Sequence, residues 1–575
     1  MATESDGSTS LSSNHIRAVR DNFRITKYRN LCCDGMFATQ VAARKALQTF
    51  GERGRQALVD EIDGLLDFDA FESALISNLT TEQRKRVIRT SCFLKEKFDS
   101  QGKLIKLKAR LVAGGHLQSR SSRSTETASP AASTSSIFSI ASIGAAEKRR
   151  FVTFDVYMAY LHAKMPEEVF MTLDKATTLL LIERANRKGI PHEFKVGDDG
   201  RATAKLNKAL YGCIQSARLW RNIFSDFLKR QGYEPNPVDP CVYNKMNSRG
   251  NQRTICVHVD DGMATCKDIE ELQLLEEALK KECGNKTSSE IGMKAFQFLG
   301  ATIDLSNGKS ALLTMPNFAD EAVNELGVRT SASTPASQEL FVLDEDSPKL
   351  SKEDHDKFHR VVAKLLYLST RTRPDIMLPV TFLCSRVNCS TESDMKKLVR
   401  VCSYLKATRS LGIHLGAAGD DISLRAYADA SFAVHKDAKS HGGIVVVTSH
   451  GPTLAKAGKQ RLVTRSSTEA ELVTLSDAVS LAVYHLQFLK GQGYNVSAEL
   501  MQDNMSTIQM AKNGRSTSDR TRHVNIRYFF VKQYLDDGTM NISRCPTLDM
   551  IADILTKPLQ GERFEKLRDL LLGYQ

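Results

Sequence analysis

Apolar positions recur at two spacings along the chain, every second residue in some segments and every third or fourth in others. The first spacing predicts strands and the second predicts amphipathic helices. In residues 254–266, two apolar runs flank Asp260, Asp261 and Gly262, which predicts a β-hairpin with the glycine in its turn. Further strands are predicted at 150–155, 296–305, 422–429, 444–448 and 499–503.

Helical spacing dominates other parts of the chain. It predicts helices within 26–78, from Trp220 onward, at 272–279, through most of 311–415, from Thr468 and from Asp549. Residues 1–14 are polar and are predicted to be disordered, and the Ser-, Thr- and Ala-rich stretch 119–139 predicts a loop. Helices and strands mixed in this way indicate an α+β protein.

The length of the chain implies several domains, because 575 residues exceed what a single hydrophobic core can organise. We place the predicted divisions at 1–90, a disordered N-terminus with a helical lead-in; 91–310, a mixed unit; 311–418, a helical unit; and 419–575, a second mixed unit.

Charge and cysteine content narrow the function classes. The net charge of +12 favours polyanionic partners. Twelve cysteines without a C-x-x-C pair indicate reduced intracellular thiols rather than a disulfide framework or a zinc site. The polar start lacks a signal core, and no uninterrupted apolar run approaches the roughly 20 residues that span a bilayer, so neither secretion nor a membrane partner is expected.

Residues 92–112 predict a basic hairpin that turns at Gly102. Lys106, Lys108 and Arg110 alternate with apolar residues, which places these cations on one face of a strand. Two interpretations fit this pattern: a solvated edge strand, or a surface that neutralises phosphates without reading sequence.

Several acids stand at the ends of predicted elements. Asp155 closes an apolar strand, and Asp260 and Asp261 lie at the tip of the hairpin. Singly, such acids are typical of caps and turns; together, their oxygens suit a hard divalent cation. Four more acids hold comparable positions near strand or helix ends in the last quarter of the chain: Asp429, Glu471, Asp503 and Asp553.

Ten ordered motifs carry a family resemblance: KLKARLVAGG at 106–115, FDVYMAYLHA at 154–163, KALYGCIQSARLW at 208–220, VHVDDGM at 257–263, FLGATI at 298–303, TRTRPDI at 370–376, YADASF at 427–432, RSSTEAEL at 465–472, QDN at 502–504 and ADILTKPL at 552–559. From about Phe93 to Leu572 the chain resembles the reverse transcriptase and RNase H portion of copia-type LTR retrotransposon polyproteins. The resemblance implies a right-hand polymerase, with fingers and palm at 91–310 and a thumb or connection at 311–418. An α/β RNase H-like domain with a mixed sheet would follow at 419–575.

For the polymerase, the resemblance implies that Asp155, Asp260 and Asp261 are catalytic metal ligands. Two Mg²⁺ ions, with Mn²⁺ as an alternative, would assist attack of a primer 3′-hydroxyl on the α-phosphate of a dNTP. Asp155 and Asp260 are the firmer ligands, since Asp261 should leave the tip in another direction.

Four residues outside the acid set are candidate substrate contacts. Tyr160 falls where the family has an aromatic residue under the incoming sugar, although a core aromatic fits its pattern equally well. Gln215 resembles the glutamine that contacts template and nucleotide. Lys108 and Arg110 are candidates for triphosphate contact. His258 departs from the aromatic residue usual at its position.

For the RNase H domain, the resemblance implies that Asp429, Glu471, Asp503 and Asp553 hold two further Mg²⁺ ions. The fourth acid would come from the C-terminal helix. Glu469 competes with Glu471, because residues two apart on a helix face different directions. The reaction implied is hydrolysis of the RNA strand of an RNA–DNA hybrid.

The implied partners are an RNA template, a DNA primer, the RNA–DNA hybrid and dNTPs, with the oligomeric state open. Protease, zinc-knuckle and integrase motifs are not found in the sequence, so it is expected to be the C-terminal part of such a polyprotein or a broken genomic copy. The alternative function is a decayed or host-adopted copy that binds nucleic acid without catalysis.

Overall fold

A computed structural model describes residues 41–98, 104–118, 129–190, 194, 196–513 and 522–574. The predicted disordered segment 1–14 and the predicted turn at Gly102 lie outside these residues. Within them, helices and strands recur throughout and the strands form four separate sheets, which confirms the α+β class.

The first elements begin an N-terminal sheet: β1 (Val41–Ala42), α1 (Ala43–Asp67, interrupted at Gly51), β2 (Phe71–Ala74), α2 (Thr81–Lys85), β3 (Ile88–Phe98) and β4 (Leu104–Ala113). Helix α2 begins at a capping box, in which Thr80 and Gln83 accept each other's backbone N–H groups. The buried carboxylate of Glu61 accepts the N–H of Leu111 at 2.9 Å and thereby joins α1 to β4.

The next elements complete that sheet: α3 (Thr134–Ala146), β5 (Arg150–Asp155), β6 (Phe170–Thr172), α4 (Lys175–Arg187) and β7 (Thr203–Leu206). The strand order is β1-β3-β6-β7-β2, with β4 paired to β3, while β5 belongs to the next sheet.

Helix α3 corrects the predicted loop over 119–139 from Thr134 onward, while residues 119–128 lie outside the described residues. Its residues are buried from Ser135 to Ala146, although several of them are serines. The hydroxyl groups of Ser135, Ser136 and Ser142 find partners inside the protein; that of Ser142 donates to the carbonyl of Thr448 at 2.6 Å. Small side chains also permit close packing, since a Cβ on Gly144 would lie 2.3 Å from the ring of Phe151. Serine and alanine here reflect tight packing rather than exposure.

The second sheet carries the predicted hairpin. Its elements are α5 (Ser216–Arg230), β8 (Glu234–Pro235), β9 (Val242–Met246), β10 (Gln252–His258), β11 (Asp261–Cys266), α6 (Ile269–Cys283) and β12 (Ser288–Ile291), and the strand order is β12-β5-β11-β10-β9-β8. Helices α5 and α6 share one apolar core with this sheet, in which Trp220, Phe224 and Leu275 are buried. The aromatic face of α5 is therefore part of the core.

The third group is mainly helical and has a small antiparallel sheet: β13 (Ala295–Phe298), β14 (Ala301–Asp304), β15 (Ala311–Thr314), α7 (Pro316–Leu326), α8 (Lys352–Ser369), α9 (Met377–Cys384), α10 (Glu392–Ala407) and β16 (Ile413–Leu415). Within it, Arg373 is buried and donates to Asp375 through two nitrogens, at 2.9 and 2.7 Å. Tyr404 donates to the same carboxylate at 2.7 Å. The TRTRPDI motif therefore has a packing role.

The last sheet is mixed, as predicted for an RNase H-like domain. Its elements are β17 (Leu424–Ser431), β18 (His441–Thr448), β19 (Pro452–Lys459), α11 (Ser467–Gly491), β20 (Ala498–Gln502), α12 (Met505–Asn513), α13 (Arg522–Asp536), β21 (Met540–Arg544) and α14 (Gly561–Leu572). Strand order is β19-β18-β17-β20-β21; β17 and β18 are antiparallel, whereas β17, β20 and β21 run parallel.

Helix α11 is long and apolar enough to cross a membrane by length and composition, with a mean hydropathy of 1.3 in its most apolar window. That window is 78% buried inside the protein, against the central strand β17 and its neighbours. One apolar core joins Phe151 of β5, Leu313 of β15 and Leu475 of α11. The sheets pack against each other, and the boundaries at 90, 310 and 418 stay predictions.

Candidate active sites

The hairpin turn consists of Val259 and Asp260, because β10 ends at His258 and β11 begins at Asp261. The sequence-based prediction, which places Gly262 in the turn, is wrong by two residues. Gly262 lies inside β11, opposite both Val257 and Phe154. A Cβ at this glycine would lie 2.0 Å from the Phe154 ring, so the glycine is needed for packing against β5.

Two hydrogen bonds hold the tip of the hairpin in place, although its backbone is strained. Val259 has a positive φ of 65°, a strained conformation for a β-branched residue. The indole Nε1 of Trp220 donates to the Val259 carbonyl at 2.6 Å, and the N–H of Val156 donates to the Asp260 carbonyl at 2.9 Å. These bonds from α5 and from the end of β5 fix the turn against the neighbouring strand.

The sheet brings the three palm acids together. Asp155 lies directly opposite Asp261 in the β5–β11 register, and Asp260 lies beside them in the turn. The Asp261 side chain is exposed, whereas Asp155 and Asp260 are half-buried. Residues 105 positions apart in the chain thus meet at one corner of one sheet.

Arg110 reaches this corner from the basic hairpin. Its Nη2 donates to Asp260 Oδ2 at 3.4 Å, and its guanidinium lies 4.6 Å from the ring centroid of Tyr211. The centroid of the Tyr211 ring in turn lies 4.6 Å from that of the Tyr160 ring. Tyr160 lies on the short 3₁₀ segment Ala159–His162. Burial raises the pKa of the Tyr211 hydroxyl, which keeps it neutral.

Tyr211 was missed by the sequence reasoning, although it stands in the KALYGCIQSARLW motif. An aromatic residue next to a glycine carries no chemistry by itself, and only the fold places it between Tyr160 and Arg110.

The structure also defines two other predicted substrate contacts. Lys108 lies on the same face of β4 as Arg110, paired in register with Lys95. Gln215 precedes α5, and its amide contacts Glu167, Met165 and Gln118, none of which is a palm acid.

His258 is half-buried at the end of β10. Burial lowers its pKa, the negative charge of Asp260 opposes that shift, and the positive charge of Arg371 adds to it.

The four acids of the last domain also converge. Asp429 lies within β17, Asp503 follows β20, Glu471 lies in the first turns of α11, and Asp553 lies on the 3₁₀ segment Ile551–Leu555. The prediction that Asp553 belongs to the C-terminal helix is wrong, since α14 begins at Gly561. Asp429 and Asp553 are almost fully buried, at 2% and 0% exposure.

The structure separates Glu471 from its competitor Glu469. The Glu469 carboxylate turns back and accepts the N–H of Arg465 at 2.8 Å, while its own N–H donates to Ser466. It is a cap for α11. The Glu471 carboxylate accepts from the Thr507 hydroxyl at 3.2 Å and lies near Asp429 and Asp503. Only Glu471 faces the other acids.

Two acids of this group have raised pKa values. Burial raises the pKa of Glu471 to about 7, and repulsion from Asp429 and Asp503 adds to the effect. Burial and Asp429 likewise raise the pKa of Asp553, opposed by Lys557 and Arg563. Acids that repel each other in a buried place are stabilised by a cation.

Among residues 41–98, 104–118, 129–190, 194, 196–513 and 522–574, no group of three or more His, Cys, Asp or Glu side chains is arranged to hold a metal ion. Both acid groups nevertheless offer the donor set that Mg²⁺ prefers, which is carboxylate oxygens. The donor chemistry of these residues therefore fits the ion.

Part of the chain matches a known protein family. Residues 78–337 match the family described as reverse transcriptase (RNA-dependent DNA polymerase), and this range contains Asp155, Asp260 and Asp261. This segment of the chain is therefore similar to reverse transcriptases.

The relatives are transposon polyproteins. The chain is 28% identical over 496 residues to the Retrovirus-related Pol polyprotein from transposon TNT 1-94 of Nicotiana tabacum, covering 85% of this chain and 36% of that protein. It is 28% identical to the counterpart from transposon RE1 of Arabidopsis thaliana (92% and 34% covered) and 23% identical to the Ty1-LR2 Gag-Pol polyprotein of Saccharomyces cerevisiae (90% and 29%). The predicted resemblance to copia-type polyproteins is confirmed. The chain spans about a third of the length of these curated relatives.

Among solved structures, the chain is similar to a foamy viral protease-reverse transcriptase in complex with double-stranded DNA, with a TM-score of 0.46 and 15% identity, over 88% of this chain and 81% of that one. It is also similar to an RNase H domain from Mycobacterium tuberculosis solved as a fusion protein, with a TM-score of 0.19 and 16% identity, over 24% of this chain and 91% of that one.

Proposed function

We propose that the chain is an RNA-directed DNA polymerase with a fused RNase H, acting on an RNA template, a DNA primer and dNTPs inside the cell. The observation that carries the proposal is the pairing of Asp155 with Asp261 beside Asp260, within the segment that matches the reverse transcriptase family. The second acid group, around Asp429, lies in a separate sheet and supports the second activity.

In the polymerase centre, each residue has a distinct part. Asp155, Asp260 and Asp261 would hold two Mg²⁺ ions, or Mn²⁺, which lower the barrier by stabilising the attacking 3′-oxygen and the departing pyrophosphate. Arg110, which pairs with Asp260, is placed to turn toward a triphosphate, and Lys108 adds positive charge on the same strand face. Trp220 keeps the turn rigid, so that the carboxylates need little reorganisation.

In the RNase H centre, Asp429, Glu471, Asp503 and Asp553 would hold the ions that activate water and stabilise the 3′-oxygen leaving the RNA strand. Thr507 orients the Glu471 carboxylate through its hydroxyl hydrogen bond. Burial excludes water from Asp429 and Asp553 and strengthens their electrostatic interaction with any bound cation.

Primer extension tests the proposal. The purified chain should extend an oligo(dT) primer on poly(rA) with Mg²⁺ and dTTP, and should cleave the RNA of a labelled RNA–DNA hybrid. A well-folded preparation that binds the hybrid but neither extends nor cleaves would contradict the proposal and favour a non-catalytic binder.

Tyr160→Ala should relax discrimination against ribonucleotides. The Tyr160 ring packs against the ring of Tyr211, and removal of the Tyr160 ring would open space for a 2′-hydroxyl. We expect the ratio of rNTP to dNTP incorporation, measured as kcat/KM, to rise about 10- to 100-fold, the range for steric discrimination in a pocket. Tyr160→Phe keeps the ring and serves as the control. Unchanged sugar selectivity in Tyr160→Ala would refute the assignment.

A further inference from the structure

Lys557 lies between two of the four acids of the proposed RNase H centre. Its Nζ donates to Asp553 Oδ1 at 2.7 Å and to Asp429 Oδ1 at 3.3 Å. The side chain is 37% exposed, whereas those of the two acids are 2% exposed or less, so the ammonium group enters the site from the solvent side.

The remaining oxygens of these two acids also have donors. The Thr556 hydroxyl donates to Asp429 Oδ2, and Arg563 Nη2 donates to Asp553 Oδ2 at 2.6 Å. The other half of the group differs, because the donors to Glu471 are the neutral side chains of Thr507 and Asn504. The positive charge is thus concentrated on the Asp429–Asp553 pair.

The backbone fixes Lys557 at this position. Its N–H donates to the Asp553 carbonyl at 2.8 Å, and Pro558 follows it directly. A lysine tethered four residues from the acid that it contacts has little freedom to leave, although its long side chain can rotate outward. Two carboxylates buried without a counter-ion would be strongly destabilising.

We infer that Lys557 is a positioning residue, a tethered cation that holds Asp429 and Asp553 together in the metal-free protein and competes with a divalent ion for their Oδ1 oxygens. This inference rests on the proposed RNase H function. It implies that the ion at this pair binds only when the ammonium group is displaced, and that the centre is kept assembled before the ion arrives.

Metal binding without nucleic acid provides the test. Mn²⁺ is titrated into the full chain and free Mn²⁺ is measured by electron paramagnetic resonance, with Asp260→Asn in every variant to weaken binding at the palm. Lys557→Met should bind Mn²⁺ about tenfold more tightly than the parent, and should unfold at a lower temperature without the ion. A merely structural lysine would lower the unfolding temperature but would not tighten Mn²⁺ binding.

Three further variants complete the design. Lys557→Arg keeps the charge and should retain the parent affinity. Lys566→Met removes a lysine that pairs with Asp549 at 2.8 Å, outside the acid group, and should leave Mn²⁺ affinity unchanged. Adding Asp429→Asn to Lys557→Met should abolish the gain in affinity.

Equal or weaker Mn²⁺ binding in Lys557→Met would overturn the inference while leaving the proposed function intact. If no variant shows binding that depends on Asp429, both the inference and the proposed RNase H centre fail.

Discussion

Asp260→Asn is expected to reduce DNA synthesis by at least about 1,000-fold, which corresponds to about 4 kcal/mol of barrier. The substitution keeps the shape of the side chain and removes the negative charge that would hold a cation between the primer end and the nucleotide. The turn itself should persist, because Trp220 and Val156 donate to the backbone carbonyls of the turn and not to the Asp260 side chain. Steady-state incorporation of dTTP on poly(rA) measures the effect.

The same variant should cleave an RNA–DNA hybrid at nearly the parent rate, since the second acid group lies in another sheet. Asp226→Asn changes an exposed acid on α5 and serves as the matched control for both activities. Loss of both activities in a folded Asp260→Asn protein would argue against separate centres. Near-normal synthesis would remove Asp260 from the proposed site.

Glu471→Gln should have the reciprocal effect, with hybrid cleavage reduced on the order of 1,000-fold and synthesis retained. Glutamine can still accept the hydrogen bond from Thr507, so the local packing should survive. What is lost is the charge next to Asp429 and Asp503, which attracts the cation. Release of labelled RNA fragments from a hybrid measures cleavage.

Glu469→Gln is a control two residues away. Its carboxylate caps α11 through the N–H of Arg465, a role that the glutamine oxygen can retain. We expect cleavage within about twofold of the parent and a loss of stability of about 0.5–1 kcal/mol. If Glu469→Gln lost cleavage and Glu471→Gln kept it, the assignment of the two acids would be reversed.

The arrangement of the palm could be predicted only in part. Alternating apolar residues around Asp260 and Asp261 predict the hairpin, because strand periodicity is local information. The turn position was misplaced, since an Asp-Asp-Gly sequence favours a glycine turn. Phe154, 108 positions before Gly262 in the chain, occupies the space that a side chain would need, and sequence spacing gives no sign of that contact.

Residues whose importance comes from their neighbours were missed. Tyr211 and Lys557 stand in motifs that could be quoted from the sequence, yet a tyrosine and a lysine are ordinary surface or core residues until their partners are known. Tertiary contacts also decided between Glu469 and Glu471, because both acids lie near the start of the same helix and only one faces Asp429.

The direct test of the central claim is anomalous X-ray scattering from Mn²⁺ in crystals of the chain with an RNA–DNA hybrid. We expect Mn²⁺ bonded to Asp155 and Asp260 in one place, and a separate Mn²⁺ bonded to Glu471 and Asp429 in another. Well-ordered acids without Mn²⁺ between Asp155 and Asp260, in crystals that hold the hybrid, would contradict this claim.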